Sequence, residues 1–375
     1  RRRFLQTSLA GGAALGLGAV AADQVDAFTA MKSDRQLRIL ILGGTAFLGP
    51  AIVQYALDRG HQITLFNRGR TNPGMFPEAE KLRGDRASDL SALEGRSWDV
   101  VIDNSATDPE WVERSTAILA GNVARYVYVS STGVFYPYEK IGLNEGDAPL
   151  LEDDPPQDDL SYGVAKARSE NVVRMAFPEG ALIVRPHYIV GPGDPMDRLT
   201  SWILRIRRGG GVVAPGDRSH MVQFIDVRDL TEWMIRSCED ELTGTFICSG
   251  PPGGLPLAGM IYGIHAVVGG EVTWHWIPDL SFLQERGLSF AVPWVPPMGP
   301  YAGMNRIDFS RAVEAGLTHR SLADTVRSTL EWWDAQPEER TAEVRQGPSA
   351  EEEARIIADW AQRPENDDEE EGRSR

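Results

Sequence analysis

Short apolar runs alternate with amphipathic stretches along the first two thirds of the chain. The run 37–42 (LRILIL) is apolar at nearly every position, which predicts a strand buried on both faces of a parallel sheet. The stretch 50–59 (PAIVQYALDR) predicts a helix, with proline in its first turn and Gly60 at its end. Further strands are predicted over 61–66, 98–103 and 181–185, and from residue 126 onward. Strands that alternate with helices in this way indicate an α/β fold.

The segments after about residue 190 predict a second, smaller region. A helix is predicted at 160–176, within the sheet domain, and another at 196–208, within the second region. Residues 223–249 predict a strand, a helix and a strand that return to the sheet. The turn sequences PGDP at 192–195 and PPGG at 251–254 mark where the chain leaves the sheet. Four regions follow: a leader at 1–30, a parallel-sheet domain at 31–190, a lobe at 191–337 that returns to the sheet over 223–249, and a C-terminal helix with an acidic tail at 338–375.

A glycine-rich turn follows the first predicted strand. Its sequence is GGTAFLG at 43–49. Gly43 permits a tight turn, while Ala46 and Gly49 keep side chains small where the backbone would meet a pyrophosphate and where helix meets strand. The amides and dipole of the following helix would face those phosphates. Because a strand precedes the turn and a helix follows it, the motif predicts dinucleotide binding over an ordinary strand-turn-helix.

A phenol and an ammonium group lie four residues apart in the predicted helix 160–176. Tyr162 and Lys166 would share one face of that helix. The lysine would stabilise the phenolate, so that Tyr162 could exchange a proton near neutral pH. The alternative is a surface lysine one turn from a half-buried tyrosine.

Three hydroxyl side chains end the strand that begins at residue 126, namely Ser130, Ser131 and Thr132. A serine there could hydrogen-bond a substrate carbonyl or hydroxyl while the tyrosine transfers its proton. The alternative is that these hydroxyls only cap the strand and start a turn.

The glycine-rich turn, the strand-end serine and Tyr-x-x-x-Lys, in this order and spacing, resemble the extended short-chain dehydrogenase/reductases, the NAD-dependent epimerase/dehydratase group. The resemblance runs from about residue 36 to 335 and includes the sequences at 84–85 (GD), 98–103 (WDVVID), 184–192 (VRPHYIVGP) and 223–229 (QFIDVRD). It implies a Rossmann-like, doubly wound parallel sheet with a smaller C-terminal substrate lobe.

The same resemblance implies roles for the motif residues. Tyr162 would be the acid/base, Lys166 would bind the nicotinamide ribose and tune Tyr162, and Ser131 would orient the substrate. Two departures from the family pattern are Ala46 in place of its middle glycine and Phe135 in place of a tyrosine. The added methyl of alanine could shift the pyrophosphate slightly without excluding it.

The cofactor is expected to be NADP or NAD, tightly bound, with NADP slightly favoured. Asn67 stands where the family places an acidic residue, so no carboxylate there repels a 2′-phosphate. Arg68 could receive that phosphate or stack on adenine. The alternative is a solvated arginine on a loop. The predicted cofactor contacts are Gly43, Thr45, Ala46, Phe47, Leu48, Gly49, Asn67, Arg68, Asp85, Arg86, Ser105, Ala106, Tyr162, Lys166, Pro186 and His187. A satisfied core histidine is the alternative for His187.

Substrate contacts are predicted at Thr132, Tyr188, Arg198 and Trp202. The last two share a face of the predicted helix 196–208 with Arg205. Arginines there could meet a phosphate or carboxylate, or could simply lie on an exposed face. Trp294 could cover a sugar face or fill a gap in the core.

The N-terminal residues resemble a twin-arginine export signal. A basic start (RRRFLQ) precedes a short Gly/Ala-rich apolar stretch, and small residues near 19–21 suit cleavage. An uncleaved leader is the alternative. We therefore expect export to the periplasm or the extracellular space with the twin-arginine machinery as a partner, and no stable membrane anchor.

Export and cofactor constrain each other. Outside the cytoplasm no nicotinamide pool would renew a cofactor used up at each turnover. An enzyme that takes a hydride and returns it to the same substrate avoids that problem, so epimerisation or dehydration of a sugar or sugar derivative is the first expectation. An NADP-dependent reductase or dehydrogenase of a carbonyl or hydroxyl substrate is the alternative. A non-catalytic cofactor- or RNA-binding relative is the third.

Composition adds limits on partners. The formal net charge of −16 argues against nucleic acid and against anionic membrane surfaces. The two cysteines, Cys238 and Cys248, have no zinc or redox spacing; two buried thiols are expected, and a disulfide between them is the alternative. The six histidines form no metal-ligand pattern. A homodimer is compatible with the sequence.

Overall fold

A parallel sheet of seven strands forms the centre of the larger domain of the computed structural model, which describes residues 32–104, 106–149 and 161–363. In spatial order its strands are β11, β6, β5, β4, β1, β2 and β3. Their bounds are β1 Arg38–Leu42, β2 Gln62–Asn67, β3 Glu80–Arg83, β4 Trp98–Asp103, β5 Val123–Val129, β6 Ala181–Pro186 and β11 Gly244–Cys248. The predicted Rossmann-like α/β fold is confirmed.

Helices cover both faces of this sheet, because successive side chains of a buried strand point to opposite sides. Ile39 and Ile41 pack with α1 (Leu48–Asp58) and α5 (Val227–Glu239). Leu40 and Leu42 pack on the other face with α2 (Pro109–Leu119) and α3 (Tyr162–Ala176). The unbroken apolar character of 37–42 thus comes from burial on two sides.

Most of the remaining elements build a second, smaller layer with its own core. The remaining described helices and strands are β7 Ile189–Val190, α4 Arg198–Arg208, β8 Gly210–Pro215, β9 Met221–Val222, β10 Ile225–Asp226, β12 Leu255–Pro256, α6 Leu257–Val268, β13 Val272–Ile277, α7 Leu280–Glu285, α8 Ser310–Glu314, α9 Leu322–Asp334, α10 Glu338–Thr341 and α11 Ala350–Ala361. Among them, β10 and α8 contribute Ile225 and Ala312 to the apolar core of the sheet. β8 pairs in parallel with β13, and α4, α6, α9 and α11 bury one continuous apolar cluster around that pair. α5 and β11 return to the sheet, as 223–249 predicted.

The C-terminal helix packs on the second layer. Ser349 and Glu352 form a capping box at the start of this helix. Glu353 of this helix is buried, and its carboxylate accepts hydrogen bonds from the Arg205 guanidinium and from the backbone N–H of Val213. A paired, hydrogen-bonded charge inside the layer ties the last helix to α4 and β8.

Both cysteines are buried free thiols, as expected. The predicted leader lies outside the described residues, as does the acidic tail beyond residue 363. Nowhere in the described part of the chain is a helix both long and apolar enough to span a bilayer.

Candidate active site

The turn between β1 and α1 brings backbone very close to backbone. Gly43 and Gly44 adopt φ of 113° and 101°, a region that favours glycine. A Cβ added to Gly49 would stand 2.5 Å from the Cα of Gly44, so a larger residue would push the helix off the turn. The first turn of α1 has no side-chain cap, which leaves its N–H groups directed out of the helix end.

A cavity of about 400 Å³ opens at this turn, at the carboxyl ends of β1, β2 and β4. It is lined by Gly43, Gly44, Thr45, Ala46, Phe47, Leu48, Phe66, Asn67, Arg68, Gly69, Arg70, Thr71, Gly84, Asp85, Arg86, Ala87, Asn104 and Trp111. A helix start without a cap, a glycine cradle and a cavity of this size fit the pyrophosphate and adenosine of a dinucleotide. Gly49 is absent from the lining because it packs against Gly44, so its part is structural.

Two arginines and one carboxylate give the cavity its charge. Arg68 and Arg70 line it just after β2, and Asp85 is the acidic residue among the described lining residues. The Asn67 side-chain oxygen accepts a hydrogen bond from Gly69 N–H at 2.8 Å and so shapes the loop that carries both arginines. Arg83 lies against Gly69 from the neighbouring strand.

Arg86 also lines the cavity, and its guanidinium is bound in an ion pair with a buried carboxylate. The guanidinium donates to both carboxylate oxygens of buried Asp103, at 2.5 and 2.6 Å, and to Ser115 Oγ at 3.0 Å. Tyr126 donates to the same carboxylate at 2.7 Å. Arg86 thus lines the cavity where a cofactor contact was predicted, while its guanidinium is held in a buried ion pair.

The three hydroxyl side chains at the end of β5 have different hydrogen-bond partners. Ser130 Oγ donates to buried Glu170 at 2.6 Å, and the Thr132 side chain hydrogen-bonds with Tyr138. Ser131 Oγ accepts from Gly133 N–H at 3.0 Å and also hydrogen-bonds with Tyr162. Ser131 thus both caps the short 3-10 helix Thr132–Phe135 and adjoins the phenol, so the two interpretations of these hydroxyls hold together.

Tyr162 starts α3 with its side chain 54 % exposed. Desolvation by its partial burial raises the pKa of the phenol, and the hydrogen bond with Ser131 and the charge of Arg198 act against that rise. The expectation that Lys166 brings this phenol toward neutral pH differs from the structure, where the pKa is raised. Tyr162 consequently keeps its proton at neutral pH.

Lys166 is buried one turn further along α3. Its Nζ donates to the carbonyl oxygens of Ala106 at 2.7 Å and Val129 at 2.8 Å, and lies 5.9 Å from the centre of the Tyr162 ring. Burial lowers the pKa of this ammonium to about 8. Two of its three protons are thus directed to the backbone, which holds the ammonium beside the tyrosine.

Two glycines let the serine and the tyrosine meet. A Cβ on Gly163 would stand 2.2 Å from the carbonyl oxygen of Gly133, and a Cβ on Gly133 would stand 3.3 Å from the Tyr162 ring. The start of α3 and the 3-10 helix therefore cross in direct backbone contact. Neither glycine was singled out from the sequence, because a crossing of two segments thirty residues apart leaves no local pattern.

The predicted contacts on the nicotinamide side are mostly interior. Ala106 is fully buried and contributes its carbonyl to Lys166. Pro186 ends β6 and is buried, and His187 after it is buried with Nε2 at 3.0 Å from the carbonyl oxygen of Met304. Burial lowers the pKa of His187 to about 4, as for a neutral core histidine. Ser105 lies outside the described residues.

The four residues predicted to contact the substrate differ in their positions: two lie toward the phenol and two are buried in the interior. Tyr188 and Arg198 lie together near the phenol, since the charge of Arg198 acts on both Tyr162 and Tyr188. The prediction for Trp202 is wrong, because its ring is fully buried and its indole N–H donates to the carbonyl oxygen of Ala291 at 3.1 Å. Thr132 is buried against Tyr138, so its hydroxyl faces the interior.

Two further interpretations of this region are settled by burial. Trp294 is fully buried and fills the core of the second layer beside His220, so it covers no sugar face. Arg205 is bound to buried Glu353 and not presented to a ligand. Trp202 and Arg205 therefore lie on the interior side of this helix, which packs with α9 and α11, while Arg198 at its start stays partly exposed.

Several residues that line the site were not predicted. Asn104, Thr71 and Trp111 line the large cavity. Tyr136 lines a smaller cavity together with Tyr162, and the Tyr301 ring centre lies 5.8 Å from that of Tyr136. Tyr136 and Pro137 follow the strand-end hydroxyls so closely that their position was a usable signal. Tyr301 lies in a segment distant along the chain from Tyr162, so no local sequence pattern indicated its position. Within the described residues no group of acidic, histidine or cysteine side chains could hold a metal ion.

Comparison with known proteins agrees with this geometry. The profile of the NAD dependent epimerase/dehydratase family matches residues 114–245. A 2-alkyl-3-oxoalkanoate reductase of Stenotrophomonas maltophilia is 28 % identical over 268 residues, which is 62 % of this chain and 76 % of that protein. The chloroplast stem-loop binding protein of 41 kDa b of Arabidopsis thaliana is 27 % identical over 53 % of this chain, and the match spans about half of its length (54 %).

Among solved structures, the UDP-glucuronic acid 4-epimerase from Bacillus cereus in complex with NAD superposes with a TM-score of 0.56. It is 15 % identical, and the match covers 79 % of this chain and 98 % of that one. At this identity the similarity shows the fold.

Proposed function

We propose that this chain, supported as a relative of the NAD-dependent epimerase/dehydratase family by the match over residues 114–245, is an NAD(P)-dependent enzyme that moves a hydride at a carbinol or carbonyl carbon. The observation that carries the proposal is the meeting of Ser131, Tyr162 and Lys166. The serine hydrogen-bonds with the phenol, and the ammonium lies 5.9 Å from its ring. These are the groups that proton transfer to a substrate oxygen requires.

Each of the three side chains has a defined task. A bound nicotinamide supplies the hydride donor or acceptor. Tyr162 gives its phenol proton to the substrate oxygen during reduction, or takes the hydroxyl proton during oxidation. Ser131 binds the same oxygen and orients it. Lys166 places a positive charge near the phenolate that reduction leaves behind. The raised pKa of Tyr162 supports the protonated phenol as the resting state.

The first candidate is a redox-neutral reaction, epimerisation or dehydration, on a sugar or sugar derivative. It extends the expectation that a twin-arginine signal at residues 1–30 exports the folded protein with its cofactor inside to the periplasm or the extracellular space. A hydride returned to the same substrate molecule would then leave the cofactor unchanged over many turnovers.

Native mass spectrometry of the full chain, purified from the compartment in which it accumulates, tests this candidate. We expect the mass of the protein plus one nicotinamide dinucleotide, together with an N-terminus beginning near residue 22 to 30. Protein denatured in the same preparation serves as the control for the polypeptide mass. Recovery of protein without cofactor, still active only when NADP(H) is added, would contradict redox-neutral chemistry.

The second candidate is a reductase or dehydrogenase that exchanges its cofactor. Two observations favour it. The similarity to the Stenotrophomonas reductase covers 76 % of that protein. The rings beside Tyr162 are aromatic and partly exposed. Steady oxidation of free NADPH in proportion to added substrate would support this candidate. RNA binding is not proposed, because the net charge of −16 opposes association with the polyanionic backbone of a nucleic acid.

The cofactor preference gives a separate prediction. Arg68 and Arg70 line the cavity beyond β2, and Asn67 replaces a carboxylate at the strand end. We expect Arg68→Ala to weaken NADPH binding by about 10- to 100-fold, because a charge-assisted bond to a phosphate contributes about 1.5–3 kcal/mol. NADH binding should change little. Titration of ligand-induced fluorescence with both cofactors measures the two dissociation constants.

Arg327→Ala is the matched control for this experiment. Arg327 is an exposed arginine on α9 that pairs with Asp324 and lies outside the residues that line the cavity. Equal loss of NADH and NADPH binding in Arg68→Ala would mean that the arginine stacks on adenine. Unchanged binding of both would mean that it is a solvated loop residue.

A further inference from the structure

Three aromatic side chains form a continuous surface beside the candidate active site. Tyr136 and Tyr301 have ring centres 5.8 Å apart, and Phe290 follows at 5.3 Å from Tyr301. Tyr136 and Phe290 are each 45 % exposed. We call these three residues the aromatic wall. Large apolar side chains that stay exposed together on a strongly acidic chain mark a binding surface.

The aromatic wall adjoins the reacting phenol. Tyr136 and Tyr162 line the same cavity, which has a volume of about 200 Å³ and is otherwise walled by Gly133, Val134 and the start of α3. Tyr138, buried behind the wall, interacts electrostatically with Tyr162, Tyr188 and Tyr301. A substrate whose oxygen meets Tyr162 and Ser131 therefore has its adjoining atoms next to these rings.

Backbone hydrogen bonds hold the two halves of the wall together. Tyr138 N–H donates to the carbonyl oxygen of Pro300 at 2.8 Å, and Gly303 N–H donates to that of Tyr138 at 2.7 Å. A Cβ on Gly303 would stand 2.0 Å from the Lys140 carbonyl oxygen, so the segments are in direct contact. The wall is thus preformed, which lowers the entropic cost of binding against it.

Several polar groups around the aromatic wall hydrogen-bond or form ion pairs with one another. Tyr136 hydrogen-bonds with Tyr301, and Tyr138 with Thr132. Arg198 pairs with buried Asp194 at 2.6 Å. A substrate hydroxyl that lies against the faces of these rings meets carbon atoms, and each hydroxyl buried without a partner costs free energy. An apolar group carries no such cost and gains contact with the rings.

We infer that the substrate carries an alkyl or aryl group next to its reacting carbon, and that the aromatic wall binds this group. The inference rests on the second candidate function proposed above, a reductase or dehydrogenase that exchanges its cofactor, and names the substrate class of that enzyme. It favours an apolar ketone or secondary alcohol over the sugar that the family resemblance implies. Discrimination among such substrates would follow the apolar area that Tyr136, Tyr301 and Phe290 cover.

A homologous series of ketones tests the inference. We would measure NADPH oxidation by the full chain with 2-butanone, 2-hexanone and 2-octanone, and with a keto-sugar of similar size. We expect kcat/KM to rise about three- to fourfold per added methylene, since each buried methylene contributes about 0.8 kcal/mol. The keto-sugar should react no faster than 2-butanone. A flat series, or a keto-sugar preferred over 2-octanone, overturns the inference.

A second measurement does not depend on turnover. Saturation-transfer difference NMR with 2-octanone and NADP⁺-loaded protein should show transfer to the alkyl chain, and Phe290→Ala should weaken binding by about three- to tenfold. Met175→Ala is the matched control, because Met175 is exposed on α3 outside the wall.

The two failures are distinguishable. Binding of 2-octanone that Phe290→Ala leaves unchanged, or no binding at all, overturns the aromatic wall as the substrate site. If NADP(H) itself does not bind, or if Tyr162→Phe reacts like the wild-type protein, the proposed hydride-transfer function fails, and the inference fails with it.

Discussion

Replacement of Tyr162 by phenylalanine is expected to lower kcat by about 10²- to 10⁴-fold, the range of general acid–base catalysis by one side chain. The ring that walls the cavity stays, but the proton that the phenol exchanges with the substrate oxygen is lost. Binding of NADP(H) should stay within about twofold, because the glycine-rich turn and its cavity are unchanged. Single-turnover kinetics and a cofactor titration measure the two effects separately.

The raised pKa of Tyr162 adds a pH dependence with a defined sign. Reduction consumes the phenol proton, so its rate should fall as the pH rises through the pKa of Tyr162. Oxidation needs the phenolate, so its rate should rise over the same range. Both trends should disappear in Tyr162→Phe. Tyr262→Phe, on the exposed face of α6, is the control. Unchanged turnover in Tyr162→Phe would remove this residue from the mechanism.

The second large effect is expected from Gly163→Ala. The new methyl would stand 2.2 Å from the Gly133 carbonyl oxygen, a distance that real Cβ contacts do not reach, so the start of α3 must move. We expect a loss of about 1–3 kcal/mol in the free energy of unfolding, as for other overpacked sites. We also expect kcat to fall at least tenfold, because Ser131 and Tyr162 would separate. Denaturant unfolding and steady-state kinetics test both.

Gly74→Ala is the matched control, because an added Cβ there meets nothing within 4 Å. Since the large cavity is built by other segments, folded Gly163→Ala protein should still bind NADP(H), and this separates a displaced catalytic pair from general unfolding. Wild-type kcat in Gly163→Ala would show that the close crossing of the two glycines does not position the catalytic pair.

Most elements of the sheet domain could be predicted from the sequence. The strand at 98–103 and the helix at 160–176 agree with β4 and α3 to within two residues. Local pattern sufficed because a strand buried on both faces must be apolar throughout, and a helix between two such strands must carry one apolar stripe. The cavity at 43–49 was predictable for a related reason, since its glycines mark a turn that other residues do not make.

The second layer was harder to predict. Trp202 was predicted to contact the substrate, and the sequence left Trp294 open between a sugar contact and a core position and Arg205 open between a ligand contact and an exposed face; all three are buried. The environment of Trp202 and Arg205 depends on α9 and α11, which pack with α4 from more than a hundred residues along the chain. No short-range pattern reports such a contact. An arginine on a helix face has the same sequence signature whether solvent or Glu353 meets it.

The order and spacing of the glycine-rich turn, the strand-end serine and the Tyr-x-x-x-Lys pair were determined by the sequence alone, because each depends on residues within one strand-turn-helix unit or one helical turn. The tertiary structure decided which buried partners Ser130 and Thr132 meet, where Lys166 directs its protons, and which aromatic rings border the site. These outcomes depend on the crossing of Gly133 with Gly163 and on the pairing of 136–142 with 299–306, contacts that exist only when distant segments pack.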